Sequence, residues 1–304
     1  MKLSSLACVL LLAAHGCGSS SPPPTGPETT PEVASATDPT DQVGANSDES
    51  TSDLAEHHRH HHHGGIPMFV AMSLDTLGVD DNQRDQIEKI QTDIHAQLKP
   101  AHDAEKAVLM TIADGVAAGN VDQGRTDAAI MELGKVSAST HDVVADSLNA
   151  LHQTLTAPQR QALVDKVEAN LAAWHETNSP DEMAEKDKRG GHLAKLATDL
   201  SLSPEQVEKI RGNFTTSMGT APKYDRAEVD AHFKEFAAAF ASDTFDAHAF
   251  KNGGMVSSHM AVWGLTRMSH LYAAAAPVLT PDQRAKAADQ LRHHANYKRT
   301  DTNE

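Results

Sequence analysis

The sequence contains only two cysteines, Cys8 and Cys17, and none after residue 17. The body of the chain therefore cannot form a disulfide, a cysteine nucleophile or a thiolate metal site. Aromatic residues make up only 4% of the chain, and β-branched residues are scarce. This composition favours helices over sheets. We expect an all-α protein in which each half buries a thin core with little aromatic content.

Catalytic sequence motifs are also missing. The chain has no nucleophile elbow, no His-Glu-x-x-His metal motif, no phosphate-binding loop and no glycine-rich dinucleotide motif. We therefore predict that the protein is not an enzyme and requires no cofactor. The formal net charge of −16 disfavours binding to nucleic acid and to anionic membrane surfaces.

Residues 1–17 have the pattern of an export signal. Lys2 supplies a positive charge, and a short apolar stretch then runs up to Cys17. That stretch is too short to span a bilayer. The pattern resembles a bacterial lipoprotein signal, which implies that Cys17 is acylated and holds a periplasmic protein at a membrane, expected to be the outer membrane. The alternative is an ordinary secretory signal cleaved near Gly16.

Two low-complexity segments follow the signal. Residues 18–56 are rich in Ser, Thr, Pro, Asp and Glu and contain no Lys or Arg, which is typical of a disordered tether. A histidine-rich tract occupies residues 57–65. Its imidazoles belong to His57, His58, His60, His61, His62 and His63. Such a tract can bind Zn²⁺, Ni²⁺ or Cu²⁺ through several nitrogens; the alternative is an inert low-complexity run.

From residue 66 onwards the sequence has helical periodicity and repeats itself. The repeats centre on four short motifs, each with an apolar residue, a capping residue, two variable residues and a glutamine. The capping residues and glutamines are Asp80 and Gln83, Thr156 and Gln159, Ser203 and Gln206, and Thr280 and Gln283. The first and third motifs are 123 residues apart, and the second and fourth are 124 apart. This spacing predicts a tandem duplication.

The duplication defines the predicted domains. We predict helical module 1 at 66–178, a linker at 179–189, helical module 2 at 190–298 and a disordered tail at 299–304. The predicted helical stretches of module 1 are 67–77, 81–118 with a kink or break at Pro100, 122–153 and 157–175. Those of module 2 are 191–200, 204–241 with a break near Pro222, 246–275 and 281–296.

Each repeated motif has the form of a helix start. The side chain of the Asp, Ser or Thr accepts a hydrogen bond from the backbone N–H three residues on, and the glutamine reaches back to the N–H of the capping residue. Pro204 and Pro281 stand at the first helical position, where a missing N–H does no harm. We therefore interpret the motif residues as structural caps and not as a catalytic site.

Two of these motifs, Leu155–Gln159 and Leu279–Gln283, read LTxxQ, and Leu202–Gln206 is a close variant. They resemble the Spy/CpxP family of periplasmic proteins. The resemblance implies curved helical hairpins that pair into cradle-shaped dimers, here formed within one chain as a pseudo-dimer. It also implies ATP-independent binding of unfolded or envelope-stress clients. The alternative function is a metal buffer or sensor of the same family, and a third is a purely structural spacer.

A second candidate metal site lies in module 2. Met255 and His259 are four residues apart on one predicted helix, so they can form a soft pocket for copper, nickel or cobalt. The alternative is that methionines at this spacing fill the core and the histidine lies at its polar edge. Trp174 and Trp263 are interpreted as packing residues.

Overall fold

The computed structural model describes residues 65–74, 76–178, 192–221 and 224–296. Within these ranges the protein is all-α, with no strand, as predicted. The helices are α1 (Gly65–Leu74), α2 (Asp81–Ala118), α3 (Gln123–Ser137), α4 (Thr140–Thr154), α5 (Ala157–Asn178), α6 (His192–Asp199), α7 (Pro204–Met218), α8 (Arg226–Ala241), α9 (Gly253–Ala275) and α10 (Pro281–Ala295), with a 3₁₀ turn at Ala247–Ala249. No helix in the described ranges is both long and apolar enough to cross a membrane.

The helix boundaries differ from the prediction in several places, the first of which is α1, which spans Gly65–Leu74 and not 67–77. The stretch predicted at 122–153 is two helices, α3 and α4, which meet at Ala138 and Ser139. The stretch predicted at 246–275 begins as a 3₁₀ turn before α9 starts. Helix α2 runs through Pro100 without a break. Pro100 is exposed, so water can satisfy the carbonyl group that the missing N–H leaves free. Pro222 lies outside the described residues.

The apolar side chains form two cores, and each core takes residues from both halves of the chain. The first core joins α1, α4, α5 and the first half of α2 to α8 and the start of α9. The second joins the second half of α2 and α3 to α6, α7, α10 and most of α9. The prediction of one thin core per half is therefore wrong, because the long helix α2 carries its apolar stripe from one core into the other.

The first core is also rich in aromatic residues, contrary to expectation. Six of the seven phenylalanines and both tryptophans lie in it or against it. Trp174 and Phe69 are completely buried, and Trp263 is 6% exposed. The low aromatic fraction was misleading because it averages over a chain whose aromatic residues are concentrated in one place.

Helix α1 lies entirely inside the protein. All ten of its residues are buried, and it packs against α2, α4, α5 and α9. Its first residue, Gly65, has φ of +55°, and a Cβ there would lie 2.2 Å from Ser257 Oγ. Only glycine fits this position, which brings the start of α1 directly against α9.

Candidate functional site: paired glutamines and a histidine junction

Three of the four motifs form complete capping boxes. Asp80, Ser203 and Thr280 each accept a hydrogen bond from the backbone N–H of the glutamine three residues on. The glutamine side chain accepts the N–H of the capping residue in return. These boxes satisfy backbone N–H groups that the first helical turn would otherwise leave without partners.

The fourth motif, at the start of α5, has a different geometry. The Thr156 hydroxyl donates to Gln159 Oε1 at 2.9 Å, and the Thr156 backbone N–H donates to the same oxygen at 2.9 Å. Gln159 therefore accepts both hydrogen bonds that Thr156 offers. The threonine positions the glutamine side chain here.

The glutamines have a second role that the sequence reasoning missed. Gln83 Nε2 donates to Gln159 Oε1 at 2.8 Å, and Gln159 Nε2 donates to Gln83 Oε1 at 2.7 Å. The remaining amide hydrogens reach the carbonyl oxygens of Thr154, at 2.9 Å, and Gly78, at 3.0 Å. This reciprocal pair ties the start of α2 to the start of α5.

The second half of the chain has the same arrangement. Gln206 Nε2 donates to Gln283 Oε1 at 2.8 Å, and Gln283 Nε2 donates back at 3.4 Å. Gln206 also reaches the Val278 carbonyl at 3.1 Å, and Gln283 reaches that of Leu200 at 3.2 Å. The sequence signal for these pairs was that the motifs occur in twos, each two in one half.

These contacts use the full hydrogen-bonding capacity of Gln83 and Gln159. Each side-chain amide offers two hydrogens and one carbonyl oxygen, and all of them have partners. No polar atom of this pair remains for a ligand or a reaction. The paired motifs are therefore structural, and in each half they hold the starts of two helices together.

Two arginines extend this pattern to the contact between the halves. Arg160 donates to the Leu155 carbonyl at 3.1 Å and to Asp243 at 3.1 Å. Arg284, 124 residues later, donates to the Leu279 carbonyl at 3.3 Å. Its guanidinium lies against Gly119, 3.0 Å from where a Cβ would stand. Each arginine thus meets a residue of the opposite half.

Position 119 is itself 124 residues before position 243. The positions that the two arginines meet are therefore separated by the same 124 residues as the arginines themselves. The last helix of each half packs on the middle of the other, with α5 against α8 and α10 against α2. Reciprocal contacts of this kind are those that a two-fold arrangement produces.

Three buried histidines of the first half bond to the second half. His141 Nε2 lies 2.8 Å from the Ala247 carbonyl oxygen, and His152 Nε2 lies 2.9 Å from that of Ser242. A carbonyl can only accept, so Nε2 carries the hydrogen in both rings. His175 Nε2 lies 2.9 Å from Asp230 Oδ1.

A fourth buried histidine, His232, faces His141. The two ring centroids are 6.4 Å apart in an edge-on arrangement. His232 is 6% exposed, and its Nδ1 has no hydrogen-bond partner. Burial, followed by the neighbouring His141, lowers the pKa of His232 below its ordinary value.

A chain of hydrogen bonds also runs from Tyr224 to Asp230. The Tyr224 hydroxyl lies 3.3 Å from His175 Nδ1, and the other nitrogen of that ring meets Asp230. The order of groups is that of a catalytic triad with tyrosine as the nucleophile. Burial raises the pKa of Tyr224 well above its ordinary value, and its ring stacks on Trp263. Tyr224 packs against the first core, and the chain of bonds joins α5 to α8.

The predicted metal ligands are placed as follows. Met255 and His259 both lie on the exposed side of α9, and His259 Nδ1 is 2.9 Å from Glu228 Oε2. Met260, by contrast, is completely buried. No cluster of three or more His, Cys, Asp or Glu suited to a metal occurs in the described part of the chain. Cys17 and the histidine tract 57–63 lie outside it.

The fold and its paired motifs define a class of all-α protein, in which glutamine-containing capping motifs join two helix starts within each half. Residues 66–167 match the family described as LTXXQ motif family protein. This match is consistent with the resemblance to Spy/CpxP proteins that the motifs predicted. The family is helical and non-enzymatic. No curated protein and no solved structure matches the chain.

Proposed function

We propose that the protein is a periplasmic binding protein that holds unfolded or stress-exposed client proteins without ATP. The observation that carries this proposal is the LTXXQ match over residues 66–167, combined with motif glutamines that are fully engaged in structural bonds. Because those residues are scaffold, client binding has to use other surfaces of the protein.

The described surface limits where clients can bind in the closed structure. Only Met131, Val143 and Met255 are large apolar residues with substantial exposure there. Three scattered side chains are ordinary for a soluble protein and do not make an apolar patch. Client capture by the described part of the protein therefore requires either weak contacts or a rearrangement that exposes core residues.

An aggregation assay tests this function. Residues 18–304, which contain every described helix, are mixed with a chemically denatured client in buffer that contains a chelator and no ATP. We expect light scattering from the diluted client to fall as the protein is added at comparable concentration. An inert helical protein of similar charge serves as the control. Light scattering equal to that with the control would contradict client binding and would leave the interpretation of the protein as a structural spacer.

The histidine tract favours a second function, metal buffering or sensing. Six imidazoles in seven consecutive positions, 57–63, can surround a divalent transition ion, and flexible ligands make such a site adaptable. Titration of Zn²⁺, Ni²⁺ and Cu²⁺ into the protein and into a variant that lacks residues 57–63 measures how much of the metal binding depends on the tract. If deletion of the tract also abolishes client binding, metal binding and client binding are parts of one function.

We also propose that residues 66–178 and 190–298 are two copies of one module paired as a pseudo-dimer. Support comes from the two glutamine pairs and the two arginine contacts, which recur at offsets of 123 and 124 residues. In this arrangement the fused chain carries both partners of the interface. The protein would then behave as a compact monomer, which small-angle scattering can measure.

A further inference from the structure

Four phenylalanines form a continuous cluster where α8 meets the loop that leads to α9, two from the helix and two from the loop. Neighbouring ring centroids of Phe236, Phe240, Phe245 and Phe250 are 5.0 to 6.1 Å apart. Phe245 is half-buried and the other three are buried. Exposed together, these rings would form an apolar surface far larger than any single exposed side chain of the closed structure.

The loop that completes the cluster, residues 242–250, has little regular structure of its own. It contains one 3₁₀ turn and supplies two of the four phenylalanines. Side chains of α4 hold most of it. His152 and His141 bond the carbonyls of Ser242 and Ala247, and Asn149 Oδ1 accepts the N–H of Ala247 at 2.8 Å. Ala247 and Phe250 add buried apolar contacts to the first core, but the loop lacks the regular backbone bonding of a helix, and irregular loops open locally more readily than core helices do.

The buried pair His141 and His232 lies against this loop, since the centroids of both rings are 6.1 and 6.3 Å from that of Phe250. His232 has no partner for Nδ1, so a proton there would place a positive charge in an apolar site and 6.4 Å from a second imidazole. An open state, in which water reaches the ring, removes both costs.

Charged groups on the surrounding elements modify this effect. On α8, Glu228 and Glu235 favour a charge on His232, and Glu228 is shared with His259 of α9. Helix α1 has no titratable side chain. On the loop, His248 meets Asp146 of α4 at 2.9 Å, which strengthens in acid and opposes opening. That pair is largely exposed, and solvent screens it.

We propose that the phenylalanine cluster 236–250 is the client-binding surface, closed near neutral pH and uncovered in acid when His232 becomes charged and loop 242–250 releases from α4. The partner it fits is an extended apolar segment of an unfolded protein, since stacked phenyl rings offer area and no polar specificity. This inference rests on the proposed client-binding function and names its site and its trigger.

Thiol accessibility tests the opening without any client. The chain after Cys17 has no cysteine, so Ala247→Cys, at a completely buried position of the loop, reports on it alone. Its labelling by a pyridyl disulfide, which reacts in acid, is divided by the rate at the exposed site of Met131→Cys. We expect this ratio to rise by about tenfold from pH 7 to pH 5, as for a shift in a local opening equilibrium.

Matched variants separate local opening from acid unfolding. Ala288→Cys, buried in the second core, should stay protected at pH 5. In the Ala247→Cys background, His232→Phe should remove most of the rise in the labelling ratio from pH 7 to pH 5. His248→Asn should increase that rise. Ala237→Cys, buried on α8, replaces Ala247→Cys if that variant does not fold. Equal labelling at residues 247 and 288, or a rise that His232→Phe leaves unchanged, overturns the proposal.

A binding assay completes the test. Reduced, carboxymethylated lactalbumin is a permanently unfolded probe, and its fluorescence anisotropy is followed at pH 7 and pH 5. We expect several-fold tighter binding in acid, lost in His232→Phe and kept in His270→Phe, which removes a buried histidine elsewhere. Opening without binding at either pH refutes the proposed function. Equal binding at both pH values, with residue 247 protected, refutes the switch and leaves the function standing.

Discussion

Gln83 and Gln159 face each other as a reciprocal amide pair, with donor–acceptor distances of 2.8 and 2.7 Å in the two directions. Each glutamine comes from a different helix start, so one residue both completes a capping motif and joins two helices. This double use gives a physical reason for the glutamine in the LTXXQ motif. Asparagine is too short to reach both partners, and glutamate would lack the donor.

The pair should therefore be energetically coupled. Gln83→Ala and Gln159→Ala should each lower the free energy of unfolding by about 1–3 kcal/mol, because each leaves its partner's polar groups unpaired. The double variant should cost less than the sum, by about 1 kcal/mol. Urea unfolding measures all three, and Gln161→Ala, which bonds only Asp165 on its own helix, is the control. Simple additivity would show that the pair contributes no coupling.

Replacing each of the two threonine caps with alanine should change the free energy of unfolding by a different amount. Thr280 accepts the N–H of Gln283, so Thr280→Ala should cost about 1 kcal/mol, the usual loss for an N-cap. Thr156 donates to Gln159 instead, and Thr156→Ala should cost less because Gln159 keeps its other hydrogen bonds. Neither change should weaken binding of the denatured client. Normal thermal stability with lost binding would identify these threonines as site residues.

Gly119 tests the contact between the halves. It ends α2 with φ of +81° and lies against the guanidinium of Arg284. Gly119→Ala should lower the free energy of unfolding by about 1 kcal/mol for the left-handed backbone alone, and more if Arg284 is displaced. Gly212→Ala, in α7 with open space around its Cβ, should be neutral or stabilising. Thermal unfolding distinguishes the two.

Stability should depend on pH with a sign set by the buried histidines. Burial lowers the pKa of His232 and of His270 below 6.5 in the folded protein. Their contribution is present above the unfolded pKa of 6.5 and is lost as the pH falls through the lowered folded values. The free energy of unfolding should decrease from pH 7 to pH 5, less steeply in His232→Phe. Urea titrations at both pH values provide the measurement.

The exposed His248 should act in the opposite direction. Its hydrogen bond to Asp146 raises the pKa of His248, so its contribution is present below 6.5 and is lost as the pH rises through the raised value. His248→Asn should therefore reduce stability at pH 5 and leave it unchanged at pH 8. A loss at pH 8 as large as that at pH 5 would contradict this assignment.

Lipid attachment is a prediction from the sequence alone. If Cys17 carries an acyl group, the protein should fractionate with membranes and incorporate a labelled fatty acid. Cys17→Ser should move it to the soluble fraction with no label, while Cys8→Ser changes neither property because position 8 lies within the signal. Membrane association that survives Cys17→Ser would favour a different anchor.

Much of the fold was readable in the sequence because helix starts are local. Asp80, Ser203 and Thr280 cap helices through contacts only three residues away, and their motifs therefore predicted the starts of α2, α7 and α10 to within a residue. The turn at Ala138 and Ser139 was missed because no glycine or proline marks it. It follows from packing, since a Cβ on Gly254 would fall 1.9 Å from the Ala138 carbonyl oxygen.

The sequence by itself determined an all-α chain, the helix starts marked by its capping motifs and the repetition of those motifs, since each depends on neighbouring residues and periodicity. The tertiary structure alone decided that Gln83 meets Gln159, that Arg160 reaches Asp243, and that both cores are shared between the halves. Those contacts join residues 76 or more positions apart. Their energies depend on which helical faces meet, and a residue pattern along the chain does not contain that information.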